Sequence, residues 1–95
     1  MFNKLKQVQE LKSKANEIKK ALSGESAEGS GARGRVKVTM DGNQVVTKVD
    51  ISDDIISNKS GLESGMAEAT NDAIKKIQKV MAQKMSQMGG FPGLQ

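Results

Sequence analysis

Apolar positions along the chain fall into two helical runs separated by an alternating segment. Leu62, Met66, Ala69, Ala73, Ile77, Val80, Met81 and Met88 recur at steps of three, four and seven, on one arc of a helix from Ser60 to Met88. Ser60-Gly61-Leu62-Glu63 has the form of a capping box at its start, and Gly89-Gly90 followed by Pro92 stops it. Such a helix is about 43 Å long at 1.5 Å per residue. Phe2, Leu5, Val8, Leu11, Ala15, Ile18 and Leu22 step by three or four and predict a first helix of about 20 residues, with a seam close to a heptad pattern.

Between the helices the period changes to two. In Arg33 to Met40, Val36, Val38 and Met40 face one way and Arg35, Lys37 and Thr39 the other. Gln44 to Ile51 alternates again, with Val45, Val49 and Ile51 apolar. Asp41-Gly42 reads as a two-residue hairpin turn, because both central positions of a type I′ turn need positive φ. That turn pairs Val38 with Val45, and Arg35 with Lys48 as like charges on the outer face. Solvation of two long side chains is one account of this pair, and an anion or an acidic group of another subunit between them is the other. Ser23 to Ala32, rich in Gly, Ser and Glu, reads either as a flexible loop or as a weak edge strand followed by a loop. Ser52-Asp53-Asp54 is placed to cap a short helical turn that buries Ile55 and Ile56.

Helix, possible edge strand, hairpin and long helix make an α+β layer arrangement in one domain, residues 1–88, with 89–95 a disordered Gly/Pro tail. Strands of six to eight residues span only about 20–27 Å. The second helix therefore overhangs its sheet. Ile77, Val80, Met81, Met85 and Met88 are expected to meet a second copy, since a two-fold contact needs one self-complementary patch and methionine adapts to such contacts.

Composition narrows the chemistry. A chain of 95 residues with no Cys and no His has no disulfides, no thiolate or imidazole metal ligands and no histidine acid–base chemistry. With no Trp, no Tyr and only Phe2 and Phe91, it has no aromatic set for stacking single-stranded bases. Its acids lack EF-hand spacing, so neither a calcium site nor any other metal or cofactor is expected. Gly29-Ser30-Gly31-Ala32-Arg33-Gly34 matches G-x-G-x-x-G but follows a helix and opens a strand, the reverse of a dinucleotide fingerprint, and no Lys-Ser/Thr closes it as a P-loop. No apolar run reaches membrane-spanning length and no signal-peptide core precedes the first helix, so a cytoplasmic protein is expected and the Asn58-Lys59-Ser60 sequon carries no glycan.

The net charge of +4 is uneven. Residues 1–22 carry six Lys against two Glu, and 69–95 four Lys against one Asp, whereas 52–68 carry four acids and one Lys. Lys6, Lys12, Lys19 and Lys20 on the first helix and Lys75, Lys76 and Lys79 on the second lie away from the apolar arcs. One basic helix face is an ordinary solvated surface. Two, doubled by symmetry, present charge at a spacing suited to a duplex, giving phosphate contacts with little sequence information. No Asn, Gln or Arg cluster on a helix points to base reading in the major groove.

The chain resembles the YbaB/EbfC family of bacterial nucleoid-associated proteins. The resemblance is carried by the Met-Phe start and Lys/Gln-rich first helix, Gly24-Glu25-Ser26, Val36-Lys37-Val38-Thr39-Met40-Asp41-Gly42, Val49-Asp50-Ile51, Asn71-Asp72-Ala73 leading into Ile74-Lys75-Lys76-Ile77, and the Gly/Pro tail. It implies an α-β-β-β-α protomer, a tweezer-like cytoplasmic homodimer on the nucleoid, DNA binding with little sequence preference, and a first strand at Leu22 to Ala27. The chain departs from the family pattern in a longer Gly/Ser insert before Arg33 and in Thr70, where an aromatic often precedes Asn-Asp-Ala. The resemblance brings no catalytic residues. The expected function is non-enzymatic binding of double-stranded DNA by a homodimer. A scaffolding dimer whose basic helices meet an acidic protein is the alternative. An enzyme is the third class, for which Asp50, Asp53, Asp54 and Asp72 lack any paired nucleophile, base or metal set.

Overall fold

The structure, a computed structural model, describes residues 2–89, with side chains from Lys4 onward. Helix α1 (Phe2–Ser23) leads into strand β1 (Ser26–Gly31), then β2 (Val36–Asp41), β3 (Val46–Ile51) and helix α2 (Lys59–Gln87). The strands form one antiparallel sheet in the order β1-β2-β3. Helix α2 lies on one face of it. Val36, Val38 and Met40 from the middle strand meet Ala69, Ala73 and Ile77 from the helix, and Ile55 closes one end of this core. The tail expected to be disordered lies, apart from Gly89, outside the described residues.

The Gly/Ser-rich segment is the edge strand, and its small residues explain how the layers fit. β1 runs against β2 with Gly29 opposite Val38 and Gly31 opposite Val36. Residues opposite one another share a face, so both glycines lie under α2. A Cβ on Gly29 would meet the Ala69 carbonyl oxygen and the Ala73 backbone, and one on Gly31 the Gly65 carbonyl oxygen. The helix backbone therefore rests directly on the strand, an approach that only glycine allows. The strand starts at Ser26 instead of Leu22, because Gly24 N and Glu25 N bond back to Ala21 O and Leu22 O and keep Leu22 in the last turn of α1. β1 and β2 are joined by three left-handed residues, Ala32, Arg33 and Gly34, at φ 52°, 60° and 87°.

The hairpin register differs from the one expected. Val38 pairs with Val49 and Val36 with Ile51, four positions further along β3 than a two-residue turn would set. The Asp41 carboxylate accepts from Asn43 N at 2.8 Å and Val45 N at 3.1 Å, and Gln44 takes φ 62°. This wider turn moves Val45 out of the ladder and accounts for three of the four positions, and a bulge in β3 opposite Thr39 and Met40 adds the fourth. Gly42 is not the turn's left-handed residue; its N–H donates to Leu22 O, and a Cβ there would strike the Leu22 backbone. The even shift keeps apolar residues on the helix side but removes the like-charge pair. Lys37 now faces Asp50, Lys48 faces Thr39, and Arg35 is 3.2 Å from Asp54.

Two more boundaries are corrected. The cap of α2 is Asn58, whose Oδ1 accepts from Gly61 N at 3.0 Å, and Ser60 lies inside the first turn. Ile55 is buried as expected, but Ile56 is 58% exposed. At the other end Gly89, at φ 79°, follows the helix as the sequence predicts.

Candidate nucleic-acid interface

The seven candidate lysines divide by their surroundings. Lys6, Lys12, Lys19, Lys20, Lys75 and Lys79 are exposed, and no ion pair or hydrogen bond among the described residues engages their ammonium groups. Lys76 is different. Its ammonium lies 3.0 Å from Asp72 Oδ2, one helical turn back, and donates to Glu28 O at 3.1 Å. Asp72 Oδ2 in turn accepts from Ser30 N at 2.9 Å. Glu28 and Ser30 are the β1 residues whose main-chain groups point away from β2, so the Asp72–Lys76 pair seals that edge of the sheet. The Ser30 N–H first, then the Lys76 ammonium, hold the Asp72 carboxyl below its usual range, against a smaller opposing effect of burial. Lys76 therefore ties α2 to the sheet; the acid four residues before it signals the ion pair in the sequence, but not the tie.

Helix α1 doubles back beside the far half of α2. Lys14 donates to Met88 O at 3.1 Å, and Lys84 pairs with Glu25 at 3.3 Å. Ile18 and Leu22 of α1 are buried. The molecule is 63 Å along its longest axis and 19 × 18 Å across. The unpaired lysines form an extended array on both helices of this rod.

Of the five residues expected to meet a second copy, Ile77 is fully buried within its own chain and has no surface left to give. Val80 and Met81 are half-buried against the chain's own core, and Met85 and Met88 are also half-buried. One uncovered apolar surface lies elsewhere, in a strand expected to be half-buried. Every residue of β3 is exposed, and Val46, Val49 and Ile51 retain 45%, 42% and 36% of their surface. Opposite Met40, Val38 and Val36, they lie on the helix side of the sheet, but α2 is drawn over β1 by the glycines and leaves them open. The sequence signal for this is the pair of glycines in β1. A second uncovered group is Leu5, Val8 and Leu11 on α1, 67%, 49% and 42% exposed.

Among the described residues there is no cluster of three or more acids able to hold a metal ion, and no helix is long and apolar enough to cross a membrane. A family model for the YbaB/EbfC DNA-binding family matches residues 1–91. Among solved structures, the chain is similar to the crystal structure of uncharacterized protein HP0035 from Helicobacter pylori. The two are 17% identical with a TM-score of 0.72, over 87% of this chain and 89% of that one, a likeness of fold.

Proposed function

The chain belongs to the YbaB/EbfC DNA-binding family, and we propose that it binds duplex DNA as a homodimer, through phosphate contacts from lysines of both helices and with low sequence specificity. It acts without catalysis, on the nucleoid in the cytoplasm. The observation that carries the reading is the set of six exposed, unpaired ammonium groups, Lys6, Lys12, Lys19, Lys20, Lys75 and Lys79, on two helices of a rod 63 Å long. One turn of B-DNA rises roughly 34 Å, so a rod of this length follows nearly two turns of duplex. Lys76, held by Asp72 and Glu28, contributes field more than contact.

Lysine–phosphate contacts release condensed counterions, and the logarithm of affinity falls with the logarithm of salt by about 0.9 for each phosphate neutralised. The test is binding to two unrelated duplexes across a salt series, for the natural chain and for K75E with K79E. The reading expects similar affinities for both duplexes, a steep salt dependence, and a weaker, shallower dependence in the variant with its oligomeric state unchanged. Affinity indifferent to salt refutes it.

A further inference from the structure

We propose that the N-terminal half of α1 is an arm that enters the major groove of duplex DNA and lays Leu5, Val8 and Leu11 against thymine methyl groups. The inference rests on the DNA binding of the preceding subsection, and adds to its phosphate contacts an apolar one that salt does not govern.

The arm is set apart by its lack of cover. The Lys14 ammonium meets Met88 O at the end of α2. N-terminal to that point every side chain from Lys4 to Ser13 is exposed, and no ion pair or hydrogen bond among the described residues joins one of them to another element. Residues 2–13 rise about 18 Å at 1.5 Å per residue. This overhang beyond α2 is what draws the molecule out to 63 Å along its longest axis.

Width points the arm to a groove. A lone helix with its side chains is about 10–12 Å across. The major groove of B-DNA is about 12 Å wide and the minor groove about 6 Å. The molecule as a whole measures 19 × 18 Å across and fits neither. The uncovered half of α1 is narrow enough to enter, and only the major groove admits it.

The apolar ridge has a shape that suits an enclosing partner. Leu5, Val8 and Leu11 keep 67%, 49% and 42% of their surface. They step by three, and at 100° per residue each step turns the ridge back by about 60°, so the three cover about 120° of the helix circumference. A single partner helix meets a narrower seam than this. A groove closes round a helix with its floor and both walls.

Charge chooses the occupant. Lys4, Lys6 and Lys12 share these turns with one acid, Glu10. The same arm of a second copy would set ammonium groups against ammonium groups, whereas the walls of a groove are rows of phosphate. On its floor the apolar group that a base pair presents is the thymine 5-methyl. Aliphatic side chains pack on that group and make no hydrogen bonds to the rest of the base edge. Thymines occur in any mixed sequence, so sequence specificity stays low.

The test compares the natural chain with the double variant L5A and V8A across a salt series. Each is titrated with a mixed-sequence duplex and with the same duplex carrying uracil for thymine, which lacks only the 5-methyl. Alanine is the better helix former and neither side chain belongs to the core, so the variant keeps its circular dichroism and Tm. The proposal expects the variant to bind the thymine duplex about tenfold more weakly, the scale of losing two partly buried aliphatic side chains. Its salt slope should be unchanged, because no phosphate contact is lost. The natural chain should bind the uracil duplex several-fold more weakly, and the variant should bind the two duplexes alike. Equal affinity of variant and natural chain, or a natural chain indifferent to the methyl group, overturns the insertion, while salt-dependent binding leaves the phosphate contacts standing. A variant that sediments at a different mass from the natural chain also overturns it, and gives the ridge to a contact between copies. A natural chain that binds neither duplex removes the DNA binding on which the insertion rests.

Discussion

Adding one methyl group at Gly29 tests how the two layers are held. A Cβ at Gly29 would fall within 3 Å of three backbone atoms, Ala69 O, Ala73 N and Ala73 Cα, the last at 2.8 Å. No side-chain rotation relieves contacts with backbone, so α2 must lift. Ala73 and Ile77, fully buried beneath that helix, then lose contact with Val38 and Val36. Overpacking of this kind costs about 1–3 kcal/mol, and a backbone clash belongs at the upper end. Reduced freedom of the unfolded chain returns about 0.4–1 kcal/mol. The net expectation for G29A is a loss of about 2 kcal/mol, which lowers Tm by roughly 10 °C in a domain of this size. G24A is the control, because its Cβ would meet only Ala21 O at an ordinary 3.5 Å. Thermal and urea unfolding followed by far-ultraviolet circular dichroism, at fixed protein concentration, measures both. G29A within about 0.5 kcal/mol of the natural chain, inside the range of ordinary surface changes, would refute the close-approach reasoning.

Other expectations follow from the same contacts. N58A should cost about 1 kcal/mol by removing the acceptor for Gly61 N, while S60A should cost clearly less, as chemical denaturation will show. Asp72 has a folded pKa depressed below the usual 3.8. Its contribution is therefore fully present above that value and is lost as pH falls through the lower folded pKa. D72N should accordingly be less stable than the natural chain at neutral pH and show a flatter decline in acid, measured as Tm against pH. K76M should lower Tm while leaving the salt slope of DNA binding nearly unchanged, because Lys76 is committed to Asp72 and Glu28.

Periodicity alone places both helices and the strands β2 and β3 to within a few residues, because each has an apolar arc or alternation that favours one conformation. What it misplaces are glycines whose reason is distant in sequence. Gly42 looks like half of a tight turn, yet it is needed where the chain passes the end of α1 at Leu22. That misreading shifts the hairpin register by three, and the bulge opposite Thr39 and Met40 adds the fourth position. Gly29 and Gly31 look like loop residues or a nucleotide motif, but they are the floor on which α2 rests, and they decide that β3 goes uncovered. The lysine array is visible in the sequence as charge opposite the apolar arcs. The tether on Lys76 depends on Ser30 and Glu28, more than 40 residues away, and no local pattern reports it.

Sedimentation velocity of the chain alone and with a short duplex, at low and moderate salt, tests the whole account most directly. The expected result is a species of twice the 10.2 kDa chain mass that moves with the duplex at low salt and leaves it as salt rises. A compact monomer at micromolar concentration that never moves with the duplex would contradict it.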